Sequence, residues 1–244
     1  MDPQFRPSND EHVFLEGPTS RKSEWAFLFR MARDLLRGFR VFRLMGPCIT
    51  VFGSARIGED HPYYELSRRA GRSLAELGFT VMTGGGPGLM EAANRGAKEA
   101  GGRSVGCNID LPFEQEPNPY LDRWVTINYF FIRKVFLFKY SYGFIGLPGG
   151  AGTMDEIFEA VTLIQTKKIA NFPIVLMGEK YWGPLIVLLK QMAEEGTISE
   201  SDLGLFLVTD SVEEAIAHID ARAVKTFRLK RVKSRVLDST LAGR

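Results

Sequence analysis

The sequence predicts an α/β fold, a Rossmann-like doubly wound parallel sheet flanked by helices, in a single domain with an extra N-terminal helix. Two observations lead to this prediction. From residue 46 onward, short apolar runs of strand length alternate with longer segments of helical periodicity. Three of those apolar runs also end in glycine-rich turns. Strands that alternate with helices are typical of parallel sheets, whose ligands bind at the carboxyl ends of the strands.

The individual elements follow from these patterns in chain order. Apolar runs predict strands at 48–52, 79–83, 104–109, 142–147, 173–177 and 205–208. Helices are predicted between and after them, at 62–77, 89–100, 129–140, 153–166, 183–195 and 212–219. A long proline-rich loop, ending near residue 118, follows the third strand. No internal repeat interrupts this order, and one Rossmann-like domain at 47–222 accounts for most of the chain.

The two ends of the chain differ from this domain. Residues 1–20 are polar and contain proline, which predicts disorder. Within 21–46, an apolar stripe recurs at helical spacing between arginines. Its members are Trp25, Leu28, Phe29, Ala32, Leu36, Phe39 and Phe42. We expect this helix to pack on its own domain or on a partner subunit, with a membrane-surface helix as the alternative. The basic tail at 223–244 is expected to be solvated or to contact another subunit.

Composition restricts the class of protein. The chain has 244 residues, is 45% hydrophobic and carries a net charge of +2, which is ordinary for a soluble globular domain. Its two cysteines stand in apolar runs, which argues against a disulfide framework and for a reducing, cytoplasmic setting. The three histidines are scattered without the spacing of metal ligands, so no metal site is predicted. No apolar run is long enough to span a membrane, and the tail offers too little basic surface for nucleic-acid binding.

The most informative stretch is 148–156, with the sequence Pro-Gly-Gly-Ala-Gly-Thr-Met-Asp-Glu. It joins a predicted strand to a predicted helix. Glycines let backbone N–H groups approach an anion without interference from Cβ, and a helix N-terminus adds its dipole and unpaired donors. Glu156 is expected one turn into the helix, beside that anion. The pattern therefore indicates a phosphate-binding loop next to a carboxylate, although Thr153 and Glu156 also fit a capping box.

Two further glycine-rich loops and one basic pair add to this candidate site. Gly-Ser-Ala-Arg at 53–56 follows the first strand, and Gly-Gly-Gly-Pro-Gly at 84–88 follows the second. Three consecutive glycines predict a close approach of backbone to ligand. Neither loop has the dinucleotide-binding or the phosphate-loop fingerprint, which argues against a redox cofactor and a nucleoside triphosphatase. Arg133 and Lys134 lie on a predicted helix, where Arg133 either faces inward as a fork for phosphate or carboxylate or is solvated.

Together these motifs resemble the signature of the Lonely Guy family. The resemblance rests on Arg133-Lys134 followed by Pro-Gly-Gly-Ala-Gly-Thr-x-x-Glu at 148–156, and Gly53-Ser54, the loop at 84–90 and Thr162-x-x-Gln165 also match. It extends over about residues 46–220 and looks like the longer bacterial branch. It implies a phosphoribohydrolase, which cleaves AMP or a prenylated cytokinin nucleotide to free base and ribose 5-phosphate. Plant members carry Met-His where this chain has Phe130-Phe131, which removes a polar group from the base-binding side.

The resemblance also assigns roles to residues. Glu156 is the predicted catalytic carboxylate beneath the ribose, and Arg133 is predicted to position Glu156 or the ribose phosphate. The amides of 149–153 and the Thr153 hydroxyl are predicted to hold the 5′-phosphate. The remaining predicted substrate-binding residues are Gly53, Ser54, Gly84, Gly85, Gly86, Asn108, Glu114, Lys134, Pro148, Gly149, Gly150, Ala151, Gly152 and Thr162, with Glu116 as an alternative to Glu114. The resemblance implies no metal or organic cofactor, and it implies a homodimer with sites near its interface.

Two other classes of function stay open at this point. A binding module would hold a nucleotide or phosphorylated cofactor in the same loops without cleaving it, and carrier proteins for the molybdenum cofactor share a similar fold in the family sense. The pair of Arg133 and Glu156 favours the hydrolase, because pure binding has little use for a carboxylate beside a phosphate. The third class is a structural or nucleic-acid-contacting protein that uses the basic tail. An older family label, lysine decarboxylase, lacks chemical support, since no lysine stands in the context of a Schiff-base partner.

Overall fold

Strands and helices alternate along the chain in a computed structural model that describes residues 17, 20–111, 116–170 and 172–224. The strands are β1 (Cys48–Phe52), β2 (Thr80–Thr83), β3 (Ser104–Ile109), β4 (Arg123–Ile127), β5 (Ser141–Gly146), β6 (Ile174–Leu176) and β7 (Phe206–Val208). The helices are α1 (Arg21–Phe42), α2 (Pro62–Leu77), α3 (Leu89–Glu99), α4 (Phe130–Lys139), α5 (Ala151–Gln165), α6 (Glu179–Glu194) and α7 (Val212–Ile219). A 3₁₀ segment (Glu200–Leu205) precedes β7, and a π-helical segment (Asp220–Val224) follows α7.

All seven strands are parallel and form one sheet in the order β4-β3-β2-β1-β5-β6-β7. The chain builds the sheet outward from β1 in one direction, then returns to the other side of β1 and builds outward again. The predicted doubly wound parallel sheet is therefore confirmed. In such sheets the strand order reverses at one point, here between β1 and β5, and a crevice opens at the carboxyl ends of those two strands.

Helices cover both faces of the sheet because successive side chains of a strand point to opposite faces. Cys48 and Phe52 of β1 belong to a core shared with α1, α4, α5 and α6. Ile49 and Val51 of the same strand belong to a second core, shared with α2, α3 and α7. Since β1 is buried along its whole length, its sequence reads as a continuous apolar run.

The strand β4 was not predicted, because the expected loop ends near residue 118 and the next expected helix begins at 129. The strand lies at the edge of the sheet and pairs with β3 alone. Its Trp124 side chain is exposed, and Arg123 and Thr126 are polar, so the apolar run that marks a buried strand is absent. Two helices also begin earlier than expected: α5 starts at Ala151, and α6 starts at Glu179.

The helix α1 packs on its own domain through one face. The buried Asp34 carboxylate accepts hydrogen bonds from the backbone and side-chain N–H groups of Asn128, at 3.1 and 2.8 Å. Arg30 donates to the Tyr129 hydroxyl, and the Phe27 ring meets the Tyr129 ring edge-on. These contacts join α1 to the segment that leads from β4 into α4. The segment 1–16 and the tail beyond 224, for which disorder and solvation were predicted, lie outside the described residues.

Among the described residues, no helix is both long and apolar enough to cross a membrane.

The helices α2 and α3 touch backbone to backbone at two glycines. A Cβ on Gly71 would overlap the Ala93 carbonyl, and a Cβ on Gly96 would overlap the Arg68 carbonyl. Such contacts leave no room for a methyl group without separating the two helices. Because α3 begins directly after the glycine loop at 84–88, its packing against α2 also fixes where that loop ends.

We predict that Gly96→Ala destabilises the protein by about 2 kcal/mol, the usual cost of overpacking. Alanine normally stabilises a helix interior relative to glycine, so the expected sign is opposite to the helix propensity. Gly204→Ala is the control, because a Cβ there meets no atom within 4 Å. Urea unfolding of the two variants and the wild type measures the difference. A Gly96→Ala protein as stable as the wild type would contradict the close packing of α2 and α3.

Candidate active site

Three loops at the carboxyl ends of β1, β2 and β5 are joined through the backbone of Ser54. The Ser54 N–H donates to the Pro148 carbonyl at 2.9 Å, and the Ser54 carbonyl accepts from the Leu89 N–H at 3.0 Å. Two glycines make this approach possible. A Cβ on Gly53 would press on Leu89, and a Cβ on Gly88, whose φ is +70°, would overlap the Ser54 carbonyl. The loops therefore converge at the crevice between β1 and β5.

The glycine loop at 84–86 is held by Asn118, which the sequence analysis did not select. The Asn118 side-chain amide donates to the carbonyls of Gly85 and Gly86 at 3.2 and 3.1 Å, and its backbone N–H donates to Gly85 at 2.9 Å. Gly85 has a φ of +78°, a conformation that favours glycine. Asn118 thus fixes the loop through its carbonyls.

A buried polar network supports Asn118 from below. The Asn94 side-chain oxygen accepts from Asn118 at 3.0 Å and from the Thr83 hydroxyl at 2.7 Å. The Asn94 amide donates to the Ser104 hydroxyl at 2.7 Å, and the Thr83 hydroxyl accepts from the Gly85 N–H. All these side chains are buried, so a lost partner leaves a polar group unsatisfied away from water. The network makes the loop rigid.

The helix α5 presents its N-terminus to solvent at the same edge of the sheet. Its N-cap is Gly150, and no side chain caps it. Gly150, Ala151 and Gly152 are exposed, and ideal Cβ positions on the two glycines meet no atom within 4 Å. First-turn N–H groups of a helix have no intrahelical acceptor. The capping-box interpretation of Thr153 and Glu156 is wrong, because the helix starts before Thr153.

Arg133 reaches the crevice from α4. Its Nε donates to the Cys107 carbonyl at the end of β3, at 2.9 Å. The guanidinium lies against Gly84, where a Cβ would collide with Nη2. Glycine at 84 therefore leaves the space that the arginine occupies. The Arg133 side chain is only 12% exposed, so its charge acts in a poorly solvated place.

Glu156 faces Arg133 from the second turn of α5. Its Oε1 lies 3.8 Å from Arg133 Nη1, an ion-pair distance that is too long for a hydrogen bond. Its Oε2 is buried and has no hydrogen-bond partner among the described residues. Burial raises the pKa of Glu156 to about 7, against the opposing effect of the Arg133 and Lys134 charges, while Asp155 and Glu159 raise it further. The site therefore holds a carboxyl group whose pKa lies near neutral pH.

Known proteins share this sequence and this fold. The family model described as "Possible lysine decarboxylase" matches residues 90–219, more than half of the chain. A cytokinin riboside 5′-monophosphate phosphoribohydrolase from Rhodococcoides fascians is 31% identical over 176 residues, which covers 70% of this chain and 88% of that protein. The chain belongs to the Lonely Guy family.

Two further comparisons concern the family and the fold. An enzyme of the same name from Mycobacterium tuberculosis is 30% identical over 159 residues, covering 62% of this chain and 82% of that protein. The solved Moco carrier protein from Chlamydomonas reinhardtii is 25% identical with a TM-score of 0.54, covering 74% of this chain and 99% of that one. The range matched to the family model includes Arg133 and Glu156 and leaves out α1.

Several residues selected from the Lonely Guy signature lie apart from the crevice or are engaged elsewhere. The Lys134 ammonium lies 2.8 Å from both the Asp155 and the Glu159 carboxylates, on the outer side of α5. Thr162 is exposed, about 13 Å along the helix from Thr153, and its hydroxyl donates to the Phe158 carbonyl. The structure thus does not bring Thr162 to the glycine loop.

Other selected residues lie at the loops or outside the described ranges. Asn108 is buried at the end of β3 beside Gly85, and its side-chain oxygen accepts from the Ile109 N–H at 2.9 Å. The Ser54 hydroxyl accepts from the Arg56 N–H, and Thr153 is buried against Gly149. Glu114 lies outside the described residues, so its role stays a prediction. Within those residues, no group of three or more His, Cys, Asp or Glu is placed to hold a metal ion.

Two residues at the site were missed by sequence reasoning. Asn118 stands between two prolines, a context that predicted only a loop. Tyr181 donates its hydroxyl proton to the Gly149 carbonyl, although it lies at the start of a helix with no glycine-rich motif of its own. Neither type of contact leaves a local pattern in the sequence, because each joins segments that are far apart in the chain.

We predict that Glu156→Gln stabilises the protein at alkaline pH. The folded-state pKa of Glu156 lies near 7, above the ordinary 4.5. The stability that the protonated side chain contributes is therefore fully present below about pH 4.5 and is lost as the pH rises through 7. Glutamine has no such loss. The melting temperature of the variant should therefore exceed that of the wild type more at pH 8 than at pH 5. Glu76→Gln, at an exposed position of α2 that does not act on Glu156, is the control; a gap that does not depend on pH would show that Glu156 is not buried in this way.

Proposed function

We propose that this chain hydrolyses the N-glycosidic bond of a nucleoside 5′-monophosphate to a free base and ribose 5-phosphate. The observation that supports this most directly is the buried Glu156 carboxyl, which faces Arg133 beside the exposed N-terminus of α5. Its relatives from Rhodococcoides fascians and Mycobacterium tuberculosis bear the name of a phosphoribohydrolase, which supports a hydrolase of this family.

The N-terminus of α5 supplies the phosphate half of the proposed site. The exposed amides of Gly150, Ala151 and Gly152 and the positive end of the helix dipole favour a dianionic group. The Thr153 hydroxyl, in the same turn, is a further donor. With the 5′-phosphate held there, the ribose extends toward Glu156 in the next turn of the same helix.

Glu156 supplies the chemistry in this proposal. When the bond between C1′ and the base nitrogen breaks, its electron pair leaves with the base, and positive charge develops on the ribose ring. The Glu156 carboxylate stabilises that charge and takes a proton from the water whose oxygen bonds to C1′. The departing base takes up one proton from solvent, and Glu156 then returns its proton to solvent, so that one water is consumed in each turnover. A pKa near 7 lets one carboxyl group accept this proton and release it again at neutral pH. No metal or organic cofactor is needed for these steps, and we propose a cytoplasmic setting.

The base is proposed to lie toward the glycine loop at 84–86, beside Asn108. AMP is the simplest substrate, and N6-prenylated cytokinin nucleotides are the other members of the proposed class. Phe130 and Phe131 stand at the start of α4, and the Phe131 ring packs between Phe27 and Tyr129. This apolar cluster favours an apolar substituent on the base at least as well as a polar one.

A second candidate function is a carrier that binds a nucleotide or phosphorylated cofactor without cleaving it. The observation that favours it is the fold shared with the Moco carrier protein from Chlamydomonas reinhardtii. The same helix N-terminus would bind the phosphate in either case. The two functions differ in what they require of Glu156. A carboxylate close to a phosphate weakens phosphate binding by charge repulsion, so a carrier gains nothing from it, whereas a hydrolase uses it in the reaction.

Product analysis separates the two functions. We expect the wild type to release free base from AMP or its prenylated analogues during incubation, measured by liquid chromatography. Glu156→Gln should lower kcat by at least about a hundredfold, the usual loss of a general base. Asp155→Asn is the matched control, because that neighbouring carboxylate is exposed and pairs with Lys134, and its variant should keep most of the activity.

Two outcomes would contradict the hydrolase. Nucleotide that binds tightly and stays intact in the presence of the wild type would establish the carrier function instead. Hydrolysis by Glu156→Gln at the wild-type rate would remove this carboxyl group from the mechanism. Arg133→Gln should also lose activity, and an unchanged rate would show that the ion pair has no catalytic part.

We also propose that the chain forms a homodimer through α1 and α4. Both helices expose large apolar side chains, and rings of α1 pack against rings of α4. The exposed members are Trp25, Leu28, Phe29, Leu36, Phe39, Phe130, Phe131 and Val135. Contiguous apolar surface of this kind marks interaction sites on soluble proteins.

Light scattering at micromolar concentration is expected to give the mass of a dimer for the wild type, twice 27.4 kDa. Phe29→Ser, which removes a ring that is 72% exposed, should shift the equilibrium toward the monomer. Val187→Ser is the control, because Val187 is similarly exposed but lies on α6, near the other edge of the sheet. A monomeric wild type, or equal dissociation in both variants, would contradict this interface.

A further inference from the structure

The loop that begins α5 is held by a side chain from the next helix along the chain. The Tyr181 hydroxyl, in the first turn of α6, donates a hydrogen bond to the Gly149 carbonyl at 2.5 Å. Gly149 precedes Gly150, the N-cap of α5. The contact therefore joins Tyr181 to the peptide group at the edge of the proposed phosphate site.

The position of Tyr181 is itself fixed by its surroundings. The Asp210 carboxylate accepts from the N–H groups of Gly178 and Glu179, at 2.7 and 3.0 Å, and so holds the start of α6. The indole N–H of the buried Trp182 donates to the carbonyls of Gly146 and Met177. The Tyr181 ring meets the Trp182 ring edge-on. The hydroxyl thus comes from a rigid element, although the tyrosine is partly exposed.

The peptide group between Gly149 and Gly150 has an orientation that matters for the site. In a planar trans peptide the carbonyl and the N–H point to opposite sides. With the Gly149 carbonyl directed at Tyr181, the Gly150 N–H points away from Tyr181. Because both flanking residues are glycine, this peptide can rotate at little steric cost when nothing holds its carbonyl.

We propose that Tyr181 is a positioning residue, which sets the Gly150 amide for the substrate phosphate through the Gly149 carbonyl. The inference rests on the proposed function, since it assigns the phosphate to this loop. Direct donation from Tyr181 to the phosphate does not fit the contact, because the single hydroxyl proton is already given to Gly149.

Tyr181→Phe tests this inference with little risk to the fold, because the ring and its packing stay. We expect KM for AMP to rise about five- to tenfold, the effect of one hydrogen bond, while kcat changes less than about twofold. The affinity for ribose 5-phosphate, measured by calorimetry, should fall by the same factor. Tyr140→Phe is the matched control, because Tyr140 follows α4 at the amino-terminal edge of the sheet, and both properties should be unchanged there.

The outcomes separate this inference from the proposed function. If the wild type binds ribose 5-phosphate without cleaving any nucleotide, and Tyr181→Phe weakens that binding, the hydrolase fails and the positioning role stands. Equal ribose 5-phosphate affinity in wild type and Tyr181→Phe overturns the positioning role, whatever the activity. A loss in kcat with unchanged KM also overturns it, as does ribose 5-phosphate that binds to neither protein.

Discussion

The backbone of Ser54 is the contact on which the rest of the site depends. Its N–H joins the loop after β1 to the loop after β5, across the reversal in strand order, and its carbonyl joins the loop after β1 to the start of α3. Only glycine at 53 and 88 permits this approach. As a result, the N-terminus of α5 and the glycine loop at 84–86 cannot move apart without breaking buried backbone hydrogen bonds, each of which is costly to leave unpaired.

The buried network around Asn94 extends this constraint to Arg133. Asn94 and Asn118 hold the loop that contains Gly84, and the Arg133 guanidinium lies against that glycine. A core built from apolar residues alone would be as stable, but it would not fix the direction of the loop carbonyls. Polar side chains buried in this way are acceptable only when every group finds a partner. Here Asn118 and Thr83 bond to backbone groups of the loop itself, and Asn94 bonds to the side chains around it.

The sequence could predict the parts of this molecule that depend on local pattern. Buried strands such as β1, the helices α2 and α7, and the three glycine loops follow from apolar periodicity and from glycine content. The edge strand β4 could not be found in this way, since one side of it is exposed. Contacts between distant segments could not be predicted either, because no residue near Asn118 or Tyr181 in the sequence indicates the glycine loop that each one holds. The sequence also suggested Lys134 as a phosphate ligand, whereas the structure pairs it with Asp155 and Glu159.

The distance between Arg133 and Glu156 suits a proton-transferring carboxyl group better than a closed salt bridge would. A bidentate pair would satisfy both Glu156 oxygens, lower its pKa well below neutrality and make it a weak base. In the structure Arg133 Nε is bound to the Cys107 carbonyl of β3 and Glu156 is carried by α5, and their nearest charged atoms stay 3.8 Å apart. The guanidinium therefore offsets part of the cost of burying the carboxylate, while the buried Oε2 has no hydrogen-bond partner among the described residues.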